Sequence, residues 1–353
     1  MKATLTILDH TNFEEYNKFV LRNHNFLWYV SLFYKNFFTE YLEANSMYYI
    51  VLVGQKIVGC LPLFEKQNAK YGAVLNSLPF YGSNGSFLLD DCLNHKEKNE
   101  VMSMLLLEVL RYSKSKNIAA LTLITNPLDD FSLKFLEGNF NFTFKDHRIG
   151  QLTTLPETKE TLIQAFSNPR PRNIRKAIKS NISIRISNSR DDFDFLIKTH
   201  QENMHSIGGK SKDASFFNLI YKQETKARYK LYVAEIDGKK VAALLLFYFN
   251  QTVEYFTPCT LNEFRNLQPS SLLIYEAMKD AIDDGYSYWN WGGTWEEQKG
   301  VYDFKKKWGA IDKKYYYYTK VFNKDLKELS SDFLLNSYPY FYTIPFKYLK
   351  YKS

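Results

Sequence analysis

The chain has 353 residues, 45% hydrophobic and 24% charged, with only 15 glycines and 10 prolines. That composition supports folded domains with real cores and excludes a large disordered region. Basic residues outnumber acidic ones by 46 to 38, and the net charge of +8 points to an anionic partner such as a phosphate, a nucleotide, RNA or a membrane surface.

The three cysteines, Cys60, Cys92 and Cys259, are too far apart for a disulfide framework or a zinc site, and the six histidines are scattered, so no metal is expected. The N-terminal MKATLTILDH lacks the apolar core of a signal peptide. The longest apolar run, Val241 to Phe249, falls well short of the roughly 20 residues of a spanning helix. A cytoplasmic protein is expected. The 27 tyrosines and 28 phenylalanines supply core volume and suggest aromatic-lined grooves.

The first predicted element is a hairpin, Tyr48 to Phe64, two β-rich runs around a glycine turn. LPFYGSNGSFLLDD follows, with Asp90 near its end, then a helix from Glu97 to Lys116 and a strand from Ala119 to Thr125. The order repeats downstream: hairpin Leu231 to Phe247, helix Pro269 to Asp284, strand Tyr286 to Trp291. Lys56 aligns with Lys240, Ile57 with Val241 and Leu61 with Leu245, which predicts a duplicated α/β unit. The expected fold is therefore mixed α/β, two tandem units at 1–150 and 151–323, each a mixed sheet flanked by helices. An aromatic and basic tail at 324–353 would pack on the second unit or lie against a membrane.

Between the repeats, NPRPRNIRKAIKS holds five cations and no acid. Arg172, Arg175 and Lys179 share one helical face, which suits phosphate oxygens, with Lys176 beside them. A solvated basic helix is the competing reading.

In the second repeat, strand TVEYFTPC carries Glu254, a candidate base for an ammonium acceptor, and Tyr302 is a candidate acid for the leaving group. Arg265 and the helix start at Pro269-Ser270-Ser271 offer a cation and backbone N–H groups to a phosphate-bearing donor. Gly292-Gly293 would let a substrate approach the backbone. A helix from Val301 to Trp308 presents Lys305 to offset oxyanion charge, whereas Lys306 and Lys307 point elsewhere.

These segments resemble the FemAB branch of the GNAT N-acyltransferases and its BioF2-like acetyltransferase relatives. The resemblance rests on RNIRKAIK, FRNLQPSSLLIYEAMKDAIDDGYSYWNWGG, GVYDFKKKWGA and LPFYGSNGSFLLDD, and covers about Tyr48 to Lys320. It implies tandem GNAT-like domains and places Phe304 and Lys305 near the acyl donor. It also implies Asp90 as an acid proposed as base in the aminoacyl branch, and Arg175 and Lys176 as a contact to a phosphorylated acceptor. One departure stands out. The acyl-CoA loop of the superfamily has two glycines, and here Arg265 to Ser270 has neither, with Pro269 supplying no N–H.

The expected activity is transfer of an acyl group from an acyl-CoA-type donor, bound as co-substrate, to an amine of a cell-envelope precursor or amino sugar. One alternative is an aminoacyl-tRNA-dependent transferase building peptidoglycan interpeptide bridges, although no heptad arm for tRNA is visible. Another is a non-catalytic binder of anionic lipid or nucleic acid. The partners implied are a phosphorylated or nucleotide-linked envelope precursor, tRNA in the first alternative, and peripheral contact with the inner membrane surface.

Overall fold

A computed structural model describes residues 2–80, 85–223 and 228–349. Residues 81–84, within LPFYGSNGSFLLDD, lie outside the described residues. The strands are β1 (Thr4–Ile7), β2 (Asn45–Val53), β3 (Lys56–Lys66), β4 (Val74–Asn76), β5 (Leu88–Leu89), β6 (Ala120–Ile124), β7 (Phe144–Thr154), β8 (Ser183–Ser187), β9 (Tyr229–Ile236), β10 (Lys239–Phe249), β11 (Thr252–Thr260), β12 (Tyr288–Thr294) and β13 (Ile311–Val321). The helices are α1 (Phe13–Arg22), α2 (Leu32–Tyr41), α3 (His95–Ser115), α4 (Asp130–Asn139), α5 (Arg170–Lys179), α6 (Arg190–Ser206), α7 (Ala214–Lys222), α8 (Pro269–Asp283), α9 (Lys299–Lys306) and α10 (Ser331–Ser337).

The chain divides into one unit of residues 1–148 plus 313–353 and a second of residues 149–312. In the first, the sheet order is β1-β2-β3-β4-β6-β13, antiparallel except for the parallel pair β4 and β6. In the second, the order is β8-β9-β10-β11-β12-β7, antiparallel except for the parallel pair β11 and β12. The two patterns are the same, so the architecture is a tandem mixed α/β fold. In each unit the last strand of this order comes from the other half of the sequence: β13 pairs with β6 in the first unit and β7 with β12 in the second.

The repeat is real, but its register differs from the sequence alignment by one residue. The first hairpin turns at Gly54-Gln55, between paired Val53 and Lys56, and the second at Asp237-Gly238, between paired Ile236 and Lys239. Lys56 therefore matches Lys239, and Leu61 matches Leu244. Both hairpins then carry a bulge at the same place, leaving Val58 and Val241 unmatched. Lining up the two glycines misleads, because glycine takes the first turn position in one hairpin and the second in the other, and a one-residue slip exchanges the faces of a strand.

The 324–353 segment belongs to the first unit and packs there through its described residues. Tyr338 Oη donates to Gly72 O at 2.8 Å, and Asn76 exchanges hydrogen bonds with the Tyr342 backbone at 2.9 and 2.6 Å. No helix among the described residues is long and apolar enough to cross a membrane.

The second unit packs α8 on its sheet through Ile274, Ala277, Met278 and Ala281, an i, i+3, i+4, i+7 stripe. On β12, Trp289 and Trp291 alternate onto that same apolar side. Trp308, fully buried, stacks beside Trp291 with ring centroids 6.0 Å apart. Gly309 follows with φ +76°, and a Cβ there would lie 2.8 Å from the Ala165 carbonyl oxygen, so only glycine fits this turn.

Candidate active site

The parallel pair β11 and β12 is hydrogen-bonded only from Thr252, Val253 and Glu254 to Tyr288, Trp289 and Asn290. Both strands continue beyond that point, to Thr260 and Thr294, without pairing to each other. Beside the diverging end lies a cavity of about 280 Å³ lined by Arg170, Asn203, Tyr255, Pro258, Cys259, Thr260, Arg265, Gln268, Pro269, Ser270, Ser271 and Phe304. The rings of Tyr255 and Trp291 approach to 4.8 Å between centroids, and those of Trp291 and Phe304 to 5.9 Å.

Local chemistry holds this shape. Asn203 on α6 clamps the end of β11, its amide donating to Thr260 O at 2.9 Å and accepting from Thr260 N at 2.9 Å. The Thr260 hydroxyl bonds that of Ser270. Gln268 adopts φ +65°, and its side chain donates to Arg265 O at 3.0 Å. Pro269 then opens α8, where a missing N–H costs nothing. The helix dipole makes this end attractive to anions.

All four residues expected to meet the donor, Arg265, Ser270, Ser271 and Phe304, line this one cavity. Arg265 is exposed at its mouth. The expected phosphate face of α5 does not reach it: Arg172, Arg175, Lys176 and Lys179 are all exposed and none is in the lining. Arg170, on the opposite side of the same helix with Ile174 and Ala177, is buried and lines the cavity. The i, i+4, i+7 spacing of these three residues was the available signal.

The expected acid–base pair is not assembled in the cavity. Glu254 precedes Tyr255 on β11 and so faces the other side of the sheet, where its buried Oε2 accepts from Asn290 Nδ2 at 2.7 Å. Tyr302 donates its hydroxyl proton to Asp312 Oδ2 at 2.7 Å, and that carboxylate raises its pKa. Asp90 belongs to the first unit, where it accepts from Arg22 Nε at 2.8 Å and from Cys92 N at 3.0 Å, with Lys56 Nζ 3.1 Å away.

Lys305 is set apart from its two neighbours by burial. It is 5% exposed, and its Nζ donates to Thr294 Oγ1 at 2.7 Å, Gly293 O at 3.2 Å and Gly292 O at 3.4 Å. An ammonium has three protons, so all are engaged. Thr294 in turn donates to Gln151 Oε1 at 3.1 Å. Gly292 has φ +69°, the conformation that turns the strand end towards Lys305 and that a side chain would oppose. Lys306 instead lies 3.6 Å from the Asp312 carboxylate.

Residues 170–306 match the family described as an acetyltransferase (GNAT) domain. That segment is a GNAT-type acetyltransferase domain. The GNAT match spans α5 to α9 and so contains every residue of the cavity lining. Among solved structures, FemX is similar at TM-score 0.72 and 15% identity, over 91% of this chain and 98% of that one. A tandem GNAT protein from the clavulanic acid biosynthesis pathway gives TM-score 0.56 and 10% identity, over 91% and 98%. The C-terminal domain of a putative lysylphosphatidylglycerol synthetase from Agrobacterium fabrum gives TM-score 0.55 and 11% identity, over 88% and 91%. These likenesses establish a FemAB-like tandem GNAT fold. No curated protein sequence matches the chain.

Proposed function

We propose that the protein transfers an acyl group from a phosphate-bearing donor to an amine of a cell-envelope precursor or amino sugar, with the donor in the cavity beside β11 and β12. The divergence of these two strands carries the reading, because it frees strand backbone beside a cavity where Arg265 and the N-terminus of α8 converge. Ser270, Ser271 and Phe304 complete the donor contact in this account. An acyl-CoA-type thioester is the first donor to test. The amine approaches from the sheet face opposite the cavity, where Glu254 serves as base, and the exposed Arg172, Arg175, Lys176 and Lys179 attract a phosphorylated or nucleotide-linked acceptor.

An aminoacyl-tRNA donor is the second reading. Pro269 removes an N–H from the helix start, and the Tyr255, Trp291 and Phe304 rings crowd the space between the strands, which suits a short aminoacyl ester better than a long thioester arm. A fold neighbour named for lysylphosphatidylglycerol synthesis supports this reading by analogy.

The test offers labelled acetyl-CoA or aminoacyl-tRNA with amino-sugar nucleotides and peptidoglycan peptides as acceptors. Transfer to the amine from one donor is expected, and Arg265→Gln should raise that donor's KM about tenfold, the scale of one charged hydrogen bond. Absence of transfer from both donors, or an unchanged KM, would refute the assignment.

A further inference from the structure

A guanidinium is seldom buried without an anion beside it, because leaving water is costly for a charge that nothing compensates. Arg170 breaks that pattern. It is 9% exposed, and among the described residues Nη2 reaches only Phe304 O at 3.5 Å, while Nε has no hydrogen-bond partner. Its Cζ sits 4.3 Å from the Phe304 ring centroid and 5.3 Å from that of Trp308. Such rings hold a guanidinium flat and leave its edge available for a planar fork of hydrogen bonds.

What that edge faces is also unneutralised. Among the described residues, the cavity lining contains Arg170 and Arg265 and no aspartate or glutamate, and the first turn of the 15-residue α8 opens on it. Two cations and a helix N-terminus around one small space form a site whose missing component is negative.

We propose that Arg170 is the inner half of a phosphate site, its guanidinium holding a phosphoryl oxygen pair of the donor while Arg265 and the start of α8 meet the same group from the mouth. This rests on the cavity being the donor site. It adds that the donor enters phosphate-deep, and that Arg170 rather than the exposed arginines of α5 selects for it.

The experiment titrates inorganic pyrophosphate into the full chain labelled with 15N-arginine and follows the side-chain Nε–H signals. One signal, absent from Arg170→Gln, should shift saturably in the wild-type protein and persist in Arg265→Gln. Pyrophosphate affinity should fall about ten- to a hundredfold in Arg170→Gln, with Arg170→Lys intermediate. An equal affinity in Arg170→Gln overturns the proposal. If that variant does not fold, Arg170→Lys supplies the assignment, and an unmoved Arg170 signal in the wild-type protein overturns it equally.

Two competitors separate the phosphate sources. Displacement by coenzyme A supports a phosphoanhydride, displacement by the trinucleotide CCA supports a tRNA end, and displacement by neither overturns the link to the donor. Failure of acyl transfer with Arg170-dependent pyrophosphate binding intact would count against the activity alone. Transfer at wild-type donor KM in Arg170→Gln would count against this site alone.

Discussion

Lys305→Ala is expected to lower stability by about 2–4 kcal/mol, since each buried polar group left unpaired costs about 1–3 kcal/mol. The ammonium ties together Gly292 O, Gly293 O and Thr294 Oγ1, and through Thr294 it reaches Gln151. Burial lowers its pKa from 10.5 to about 8. Between those values the unfolded chain binds more protons than the folded one, so this group makes stability rise with pH across that window. The variant should lose that rise. Urea unfolding at pH 7 and pH 9.5 reads both effects. A direct oxyanion role, as read from the sequence, would instead appear as turnover reduced about 100- to 1,000-fold with stability intact. A variant as stable as the wild type would contradict the positioning role inferred from its three hydrogen bonds.

Asp90→Asn is expected to cost about 3–5 kcal/mol, the scale of breaking a buried ion pair from one side. Its carboxylate is 4% exposed and accepts from the guanidinium of Arg22. Burial alone would raise the pKa, but hydrogen bonds from Cys92, Arg22 and Lys56 outweigh it and hold the group at about 2. Because the folded value lies below the unfolded 3.8, this contribution is present above pH 4 and disappears as pH falls towards 2. The acid limb of the unfolding profile should flatten in the variant. So low a pKa makes a weak base at neutral pH, so the aminoacyl-branch role implied for Asp90 is not favoured here. Wild-type melting with abolished transfer would reverse that conclusion.

The contrast between these residues shows what local sequence carries. Helix α8 and strand β12 were legible because an apolar stripe and alternating tryptophans report directly on faces. Arg265, Ser270 and Ser271 lie together in the sequence because they flank one strand-to-helix connection, whereas Phe304 reaches the same cavity from α9. Arg170 was not, because a run of cations reads as one basic segment until the helix turns one of them inward. Glu254 is one residue from the cavity-lining Tyr255, and strand alternation sends the two side chains to opposite faces. The strands β7 and β13 each join a sheet far away in sequence, and nothing local marks which sheet a β-branched or tyrosine-rich run will close.

Photolabelling tests the central claim that the cavity at the β11 and β12 divergence receives the acyl donor. The wild-type chain would be irradiated with a diazirine-acyl coenzyme A and, separately, with a diazirine-aminoacyl ester of a CCA-ended oligonucleotide. Saturable labelling by one of them, competed by its unmodified parent, is expected on the peptide spanning Tyr255 to Ser271 or on the one containing Phe304. Saturable labelling confined to other segments, or none with either probe, would contradict the account.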